Sequence, residues 1–549
     1  MRRAVAIGVG LVVLPIASAR AQGVPQINPG VIQNDINRQQ QQFEQQSQPP
    51  KLQGPAVVGG EREKTTPLKP GGPKFKLRRI EFDPSKFLTP EELGRIAGKY
   101  VGKQIDIAGL QQIVADINAI YAERGIVTGI ATLPEQDAAG GVVHIKLTEG
   151  RLQNTTIEGN KQTSAGYILP RVGQPAGEVL DVPKLNRDVT WFNRTNDVQV
   201  KALLQPGSNF GLTDLNFAVI DPPRDTLQLF VDNQGIQTTG RLEEGIFYKG
   251  HSLFGIDDRL TFYGVRSDGN LNGNLAYSVP VNPWGGRLGV SYTQGAIRII
   301  NGPFVALDVT GTSSQAAVNF SQPVFVSENW LLLLNAAETD GSTTSDFSAV
   351  TVTDDRYGKS TGGFSLTNSG KDYSVTISPA VNVVDWHDHV LGGGRSFDTY
   401  TGIATAAVKL PASFSLSFLA NWQYSPASLL PGDQIFAIGG PTTVRGYPTN
   451  AVTGDSGYFF NAELHYDWSA RVKGLDAYVF SDWGAVYSTV PTVVELNSVG
   501  VGASYTPTPP LTFEASYAVP LKFALPTQPH YELYGRFIFR PLLLLPQPG

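Results

Sequence analysis

Two stretches of the chain, one on each side of residue 440, alternate between apolar and polar side chains. Their apolar positions are Phe414, Leu416, Phe418, Ala420, Trp422 and Tyr424 in the first stretch and Tyr458, Phe460, Ala462, Leu464, Tyr466 and Trp468 in the second. A period of two residues predicts β-strands with one apolar and one polar face. Aromatic side chains at both ends of the apolar face are typical of strands that separate lipid from a water-filled lumen.

The same pattern of short alternating stretches separated by turns extends from about residue 226 to residue 540. It predicts sixteen strands, centred near residues 230, 245, 262, 277, 291, 317, 333, 362, 378, 404, 419, 463, 479, 500, 516 and 535. An even number of antiparallel strands is what a closed membrane barrel requires. Long polar connections, expected at 297–311, 339–354, 385–397 and 431–464, alternate with short turns rich in proline. Such an asymmetry places the long connections outside the cell, with 431–464 as the sixth of them.

Before the barrel, the pattern changes to that of two small α+β units. In the first, Thr89-Pro90-Glu91-Glu92 is a capping box with proline at the first helical position, so a helix is predicted to begin there. A second helix is expected after Asp106, and Gly125 ends it. Residues 151–222 repeat the order of strand, two helices and two strands more loosely. The predicted domains are therefore 74–150, 151–223 and a barrel over 224–541.

The N-terminal residues carry a different composition. Arg2 and Arg3, an apolar run and the Ala19-Arg20-Ala21 cleavage pattern predict a secretory signal peptide over 1–21. Residues 22–73 are rich in Pro, Gly and Gln, which is typical of a flexible linker. Inside them, 31–48 lacks Pro and Gly, so it is either a low-complexity spacer or one polar helix.

Composition narrows the classes of function. The chain has 549 residues, a net charge of −5 and no cysteine, which excludes disulfides, thiolate catalysis and Cys-ligated metals. The net charge gives no argument for nucleic acid as a partner. Charged residues make up only 17%, while glycines number 59 and aromatic residues reach 10%, a mixture that suits a β-rich envelope protein better than a soluble enzyme.

No stretch of the sequence forms a convincing catalytic or metal site. Residues 385–389 contain two histidines and two aspartates, but they are expected in a surface loop without a further ligand at a recognisable spacing. Residues 358–360 match only the tail of a phosphate-binding loop, and Phe254 occupies the position where a nucleophile elbow needs glycine. We therefore expect no enzyme activity, no metal and no cofactor.

Two motifs carry a family resemblance. The long connection reads GG-x-x-x-VRGY, formed by Gly439, Gly440, Val444, Arg445, Gly446 and Tyr447. The thirteenth strand reads F-x-D-x-G, formed by Phe480, Asp482 and Gly484, and strand parity points Asp482 into the lumen. Together they resemble the loop and barrel-wall motifs of the two-partner secretion outer membrane transporters (TpsB), of the haemolysin activator and filamentous haemagglutinin transporter type.

The resemblance implies a fold and a function. The fold is a membrane β-barrel of sixteen antiparallel strands, preceded by two periplasmic α+β POTRA domains. The function is the export, without ATP, of a large secreted exoprotein, a haemolysin- or adhesin-like β-helical chain that the POTRA domains bind. The resemblance also implies that Arg445 pairs with Asp482, that 31–48 is a helix plugging the lumen, and that barrel-assembly machinery inserts the chain among outer membrane lipids.

Two other functions remain open on the sequence. One is a barrel-assembly insertase of the same superfamily, which usually has more POTRA domains. The other is a passive porin, which lacks both the periplasmic domains and the VRGY loop. Members of the family also end in a strand with a terminal aromatic residue, whereas here 541–549 follow the last alternating strand.

Overall fold

The computed structural model describes residues 28–47, 55–59, 71, 73–138, 140–487, 493–526 and 528–544. The predicted signal peptide lies outside the described residues, as do most of the linker and residues 545–549 of the tail.

The N-terminal helix forms despite its polar composition. Helix α1 covers Pro29–Gln46, and the side chain of Asn28 accepts hydrogen bonds from the backbone N–H groups of Gly30 and Val31 at its start. The window predicted from its lack of Pro and Gly began two residues later, because proline is tolerated in the first turn. A two-residue strand follows in the linker, β1 at Val57–Val58. No helix among the described residues is long and apolar enough to cross a membrane.

The first α+β unit keeps the predicted order of strand, helix, helix, strand and strand, but its first strand is divided in two and a two-residue strand is added between the helices. Its elements are β2 Phe75–Lys76, β3 Arg79–Phe82, α2 Pro90–Gly98, β4 Gln104–Ile105, α3 Ile107–Glu123, β5 Gly129–Thr132 and β6 Val142–Glu149. The capping box is present, with Thr89 and Glu92 each accepting from the other's backbone N–H. Glu92 also accepts a hydrogen bond from the Arg124 side chain, which lowers the pKa of Glu92 to about 2.

The second unit packs two helices on a four-stranded sheet. Its elements are β7 Arg151–Glu158, α4 Ala165–Val172, α5 Val182–Thr195, β8 Gln199–Pro206 and β9 Leu212–Ile220. The sheet order is β1-β8-β9-β7, so the linker strand pairs in parallel with β8. Phe192 of α5 and Phe217 of β9 lie in a core that is continuous between the helices and the sheet.

The remaining chain forms a closed barrel of sixteen antiparallel strands, as predicted. The strands are β10 Asp225–Asp232, β11 Glu243–His251, β12 Arg259–Ser267, β13 Asn270–Pro280, β14 Arg287–Arg298, β15 Val309–Val326, β16 Trp330–Phe347, β17 Val350–Ser369, β18 Tyr373–Asp388, β19 Gly394–Lys409, β20 Phe414–Tyr424, β23 Ser456–Asp467, β24 Leu475–Tyr487, β25 Val494–Thr508, β26 Leu511–Pro520 and β27 Glu532–Phe539. Between β20 and β23, two short strands form a separate hairpin, β21 Phe436–Ile438 and β22 Val452–Gly454. Pairing of β10 with β27 closes the barrel, and a 3-10 turn at Pro541–Leu544 follows.

Two of the long connections predicted from polar composition are wrong. Residues 339–354 lie mostly in β16 and β17, which are joined by Ser348 and Ala349, both at positive φ. Residues 385–397 lie mostly in β18 and β19, so the His/Asp-rich stretch is largely strand rather than loop. The apolar alternation fades there, but strand pairing needs only backbone groups, and a ladder can continue into water.

Candidate functional site in the barrel lumen

The connection between β20 and β23, residues 425–455, is called loop 6 here, because it is the sixth connection at the barrel end opposite the α+β units. From this end of the barrel, loop 6 folds inward. Ile438, Val444 and Tyr447 are almost fully buried and pack with Phe459 and Val486 of the barrel wall. The loop is therefore a packed part of the lumen.

Arg445 is held on several sides at the tip of loop 6. Its Nε and Nη2 donate to the two carboxylate oxygens of Asp482, both at 2.8 Å. Its backbone N–H donates to the same carboxylate at 3.0 Å, and the Asp482 side chain has no solvent exposure. A forked pair of hydrogen bonds of this kind fixes the orientation of the guanidinium group and also neutralises its charge. The two residues singled out by the sequence motifs are thus brought together.

The other residues of the wall motif line the site that the Arg445 side chain occupies. Phe480, Asp482 and Gly484 all face inward, whereas Val479, just before them, and Trp483, between Asp482 and Gly484, face outward. The guanidinium carbon of Arg445 lies 3.5 Å from the centroid of the Phe480 ring. A Cβ at Gly484 would lie 2.9 Å from a methyl group of Val444, so glycine leaves the space that Val444 fills.

The remaining loop-motif residues shape the backbone around Arg445. Gly439, Gly440 and Gly446 have φ of 109°, 94° and 87°, values that disfavour any side chain. The hydroxyl of Tyr447 accepts from the backbone N–H groups of Asn497 and Lys522, and it lies 2.9 Å from the carbonyl oxygen of each. Tyr447 therefore ties the loop tip to the neighbouring wall.

Sequence reasoning missed a third charged partner. Arg445 Nη1 donates to Glu463 at 2.6 Å, and His465 lies 3.0 Å from the other oxygen of Glu463. Glu463 of β23 is directly opposite Phe480 in the ladder with β24. Parity alone put Glu463 on the inward face, so combining parity with the register of the two adjoining strands would have identified it.

Helix α1 lies inside the barrel. Three of its glutamines hydrogen-bond inward-facing wall residues: Gln33 with Ser313, Gln39 with Tyr263, and Gln40 with Asn274. Its one aromatic residue, Phe43, is buried against a wall cluster formed by Phe230, Phe247, Tyr263 and Ile538. The Phe43 and Phe230 ring centroids are 4.6 Å apart.

The helix and loop 6 also contact each other. Thr442 of loop 6 donates to Asp35 at 2.7 Å, and Arg38 donates to Asn450 at 3.2 Å. Asn34 donates to the backbone carbonyl of Asp433 at 3.1 Å. Helix, loop and wall therefore form one polar assembly within the lumen.

The other sequence candidates lie in strands and turns of the barrel, and Trp386 of the His/Asp-rich stretch packs in a buried cluster with Leu430 of loop 6. Asp385–Asp388 of the His/Asp-rich stretch lie in β18, and among the described residues no group of three or more His, Cys, Asp or Glu could hold a metal ion. Residues 358–360 lie inside β17, and Phe254 follows β11 in a turn.

Comparisons with known proteins agree on the class of this chain. Residues 75–150 match the model of the ShlB-type POTRA domain. Residues 211–505, more than half of the chain, match the model of the haemolysin secretion/activation protein ShlB/FhaC/HecB. The second span includes both motifs that hold Arg445.

Individual relatives are distant but nearly co-extensive with the chain. It is 25% identical over 443 residues to the outer membrane transporter CdiB of Dickeya dadantii, covering 76% of this chain and 77% of that protein. It is also 25% identical over 479 residues to the heme/hemopexin transporter protein HuxB of Haemophilus influenzae, covering 82% and 84%. The fold matches the solved structure of CdiB from Escherichia coli with a TM-score of 0.70 and 20% identity, over 93% of this chain and 99% of that one. The chain therefore belongs to the ShlB/FhaC/HecB family of haemolysin secretion/activation proteins, the outer membrane transporters that secrete partner proteins by two-partner secretion.

Proposed function

We propose that this transporter keeps loop 6 latched in its lumen through Arg445 and Asp482, and that the latched loop shapes the path of the exported chain. The observation that carries the proposal is the ligation of Arg445 by two carboxylates, with Asp482 fully buried. Breaking a buried ion pair leaves an uncompensated charge, which costs about 3–5 kcal/mol. A loop held so strongly remains a fixed wall of the pore during export.

Helix α1 acts as the removable plug of the same pore. Its polar contacts with the wall are hydrogen bonds between neutral amides and hydroxyls, which water replaces at low cost. Its apolar contacts with the wall are made by Ile32, Ile36 and Phe43. The exported chain takes the place of the helix.

The second α+β unit, residues 151–220, is a second POTRA domain, and the two domains capture the exoprotein on the periplasmic side. Sheet edges offer unpaired backbone groups that an extended peptide can join as an added strand. The partner is a large secreted chain of the β-helical haemolysin or adhesin type. The barrel itself enters the outer membrane through the barrel-assembly machinery.

Transport proceeds without catalysis and without a nucleotide. Folding of the exoprotein outside the cell and blocked return supply the free energy. The two soluble units together with the latched loop favour export over the two alternatives. An assembly insertase would usually carry more periplasmic domains, and a passive porin would lack both features.

The experiment is deletion of residues 74–222, which read as separate soluble units. We expect the barrel to insert and to conduct ions in planar bilayers, but export of its secreted exoprotein partner to be lost. The full-length chain, expressed at the same level, is the control. Normal export by the truncated chain would refute capture by these units.

A further inference from the structure

The turn between β11 and β12 faces the second α+β unit at the periplasmic mouth of the barrel. Asp257 in this turn has no solvent exposure and a φ of 59°. Its Oδ1 accepts hydrogen bonds from the backbone N–H groups of Asp197 and Val198, at 3.0 and 3.1 Å. These two residues join α5 to β8, so a barrel carboxylate caps the start of a strand in the periplasmic unit.

The barrel wall holds the same carboxylate from the other side. Arg287 of β14 donates from Nη1 to Asp257 Oδ2 at 2.9 Å and from Nη2 to the Asp257 backbone oxygen at 2.7 Å. A second arginine, Arg259 of β12, donates to Asp197 at 2.8 Å, and Lys249 of β11 lies 3.4 Å from the other Asp197 oxygen. We call Asp197, Asp257, Arg259 and Arg287 the mouth clasp.

Other bonds between the unit and the barrel are uncharged or lie towards the edge of the interface. The buried hydroxyl groups of Thr163 and Ser252 lie 3.1 Å apart, and the backbone N–H of Ser164 donates to the carbonyl of Gly255 at 2.9 Å. Trp191 Nε1 donates to the Trp284 backbone oxygen at 2.9 Å, and both groups are exposed. Arg194 donates to Ser369 at 2.7 Å. Bonds between exposed or half-buried groups constrain orientation weakly, whereas a buried, charge-assisted network does so strongly. Asp257 is therefore the point about which the unit is fixed.

We propose that Asp257 is a positioning residue for export, because it sets the orientation of the second unit over the periplasmic mouth. One carboxylate connects the wall of the pore to the backbone from which β8 begins. Without it, the unit stays tethered by the chain and by the remaining uncharged and edge contacts, but pivots on them. The part of the proposal that concerns export rests on the proposed function of this unit; the part that concerns orientation does not.

Two substitutions separate the roles of the side chain. Asp257→Asn retains an oxygen for the two backbone N–H groups, tolerates the positive φ and removes the charge that faces Arg287. Asp257→Gly also tolerates the backbone conformation and removes the side chain altogether. The matched control is Asp258→Asn in the same turn, since the Asp258 carboxylate is also buried but bonds within the barrel, to the Phe254 N–H and the Tyr277 hydroxyl.

The experiment measures the distance between the unit and the barrel directly. The chain has no cysteine, so cysteines introduced at the exposed positions Glu178 and Lys371 take spin labels selectively. In the full-length protein in nanodiscs, double electron–electron resonance should give a distance distribution at least twofold wider for Asp257→Asn, and wider still for Asp257→Gly. Arg287→Gln should widen it too, and adding it to Asp257→Asn should produce little further change.

Control readouts distinguish a loosened orientation from a damaged barrel. Heat-modifiable migration in gels and single-channel conductance should match the parent for every variant that inserts. The Asp258→Asn distribution should also match the parent. An unchanged distribution in Asp257→Asn, or equal widening in Asp258→Asn, would overturn the proposal. If Asp257→Gly fails to insert, the Asn and Arg287→Gln variants still decide the question.

Export is measured separately, with the secreted exoprotein partner of the transporter. We expect about a tenfold lower rate in Asp257→Asn and a normal rate in Asp258→Asn. A widened distribution with normal export would keep the clasp but overturn its role in export. Deletion of residues 74–222, described above, tests capture of the exoprotein itself. A failure of the capture proposal can therefore be distinguished from a failure of the orientation proposal.

Discussion

Helix α1 and loop 6 both occupy the lumen, yet the barrel holds them by different chemistry. The helix contacts the wall through neutral glutamines and through the uncharged side chains of Ile32, Ile36 and Phe43. Loop 6 is attached to the wall by the forked Arg445–Asp482 pair and by the buried hydroxyl of Tyr447. Neutral hydrogen bonds contribute about 0.5–1.5 kcal/mol each and exchange readily with water, whereas a buried charge cannot be left unpaired cheaply. The comparison predicts that the helix leaves and the loop stays.

The largest expected effect comes from breaking the latch. Arg445→Ala should destabilise the loop by about 3–5 kcal/mol, because it leaves Asp482 and Glu463 without their shared cation. Asp482→Ala should cost less, since Arg445 keeps Glu463 as a partner. Protease access to loop 6 and export of the exoprotein are the measurements, combined in a double-mutant cycle. Additive effects of the two substitutions would contradict the latch.

Arg445→Lys sharpens the same test. An ammonium group cannot bond both oxygens of Asp482 in the forked geometry or stack on Phe480 as a guanidinium does. We therefore expect lysine to rescue poorly, with protease access closer to Arg445→Ala than to the parent. Full rescue by lysine would mean that charge alone holds the loop.

A smaller effect is expected at the plug, where removing one side chain should release the helix. Phe43→Ala withdraws a fully buried ring from its cluster, a loss of about 2–3 kcal/mol, and should raise the open fraction of single channels at least tenfold. Deleting 29–46 should give the same high conductance permanently. Gln41→Ala is the control, because Gln41 is exposed on the same helix. Unchanged conductance after the deletion would reduce the segment to a spacer.

The smallest effect should come from the contact between the two lumen elements. Thr442→Val removes the hydroxyl that Asp35 accepts from, and should weaken the retention of the helix by about 1 kcal/mol. We expect a few-fold increase in channel opening without any change in protease access to loop 6. Thr453→Val, in β22 of the same loop, serves as the control. A simultaneous rise in protease access would show that helix and loop are released together rather than separately.

Local periodicity predicted the parts of the site that lie on strands. Asp482 and Phe480 follow from the two-residue repeat, because a strand that faces lipid on one side must point every other residue inward. Glu463 needed the register between two strands, which depends on loop length and not on either strand alone. The lumen position of α1 was predicted only from the family resemblance, since the sequence of a polar helix carries no local information about where the helix docks.

The predictions of two long connections were wrong, and the role of Asp257 was missed, for the same physical reason. Residues 339–354 and 385–397 are polar, and this polarity led to the prediction of loops. Beyond the membrane, however, both faces of a strand contact water, so these polar stretches form strands. At the other end of the barrel, the clasp joins residues 60 positions apart in two domains, and no pattern in either stretch refers to the other. Both depend on tertiary structure rather than on local propensity.

The length of the middle strands has a consequence for the freshly exported chain. β17 has 20 residues, so it spans about 65 Å and rises about 45 Å along the barrel axis at a typical tilt. The apolar band of such barrels is about 25 Å tall, which leaves a rim of roughly 20 Å beyond the hydrocarbon. A chain that emerges over this rim enters water at a distance from the lipid. Its apolar segments therefore meet one another before they can adsorb to the membrane surface, and the transporter's own wall shelters the first steps of folding from the bilayer.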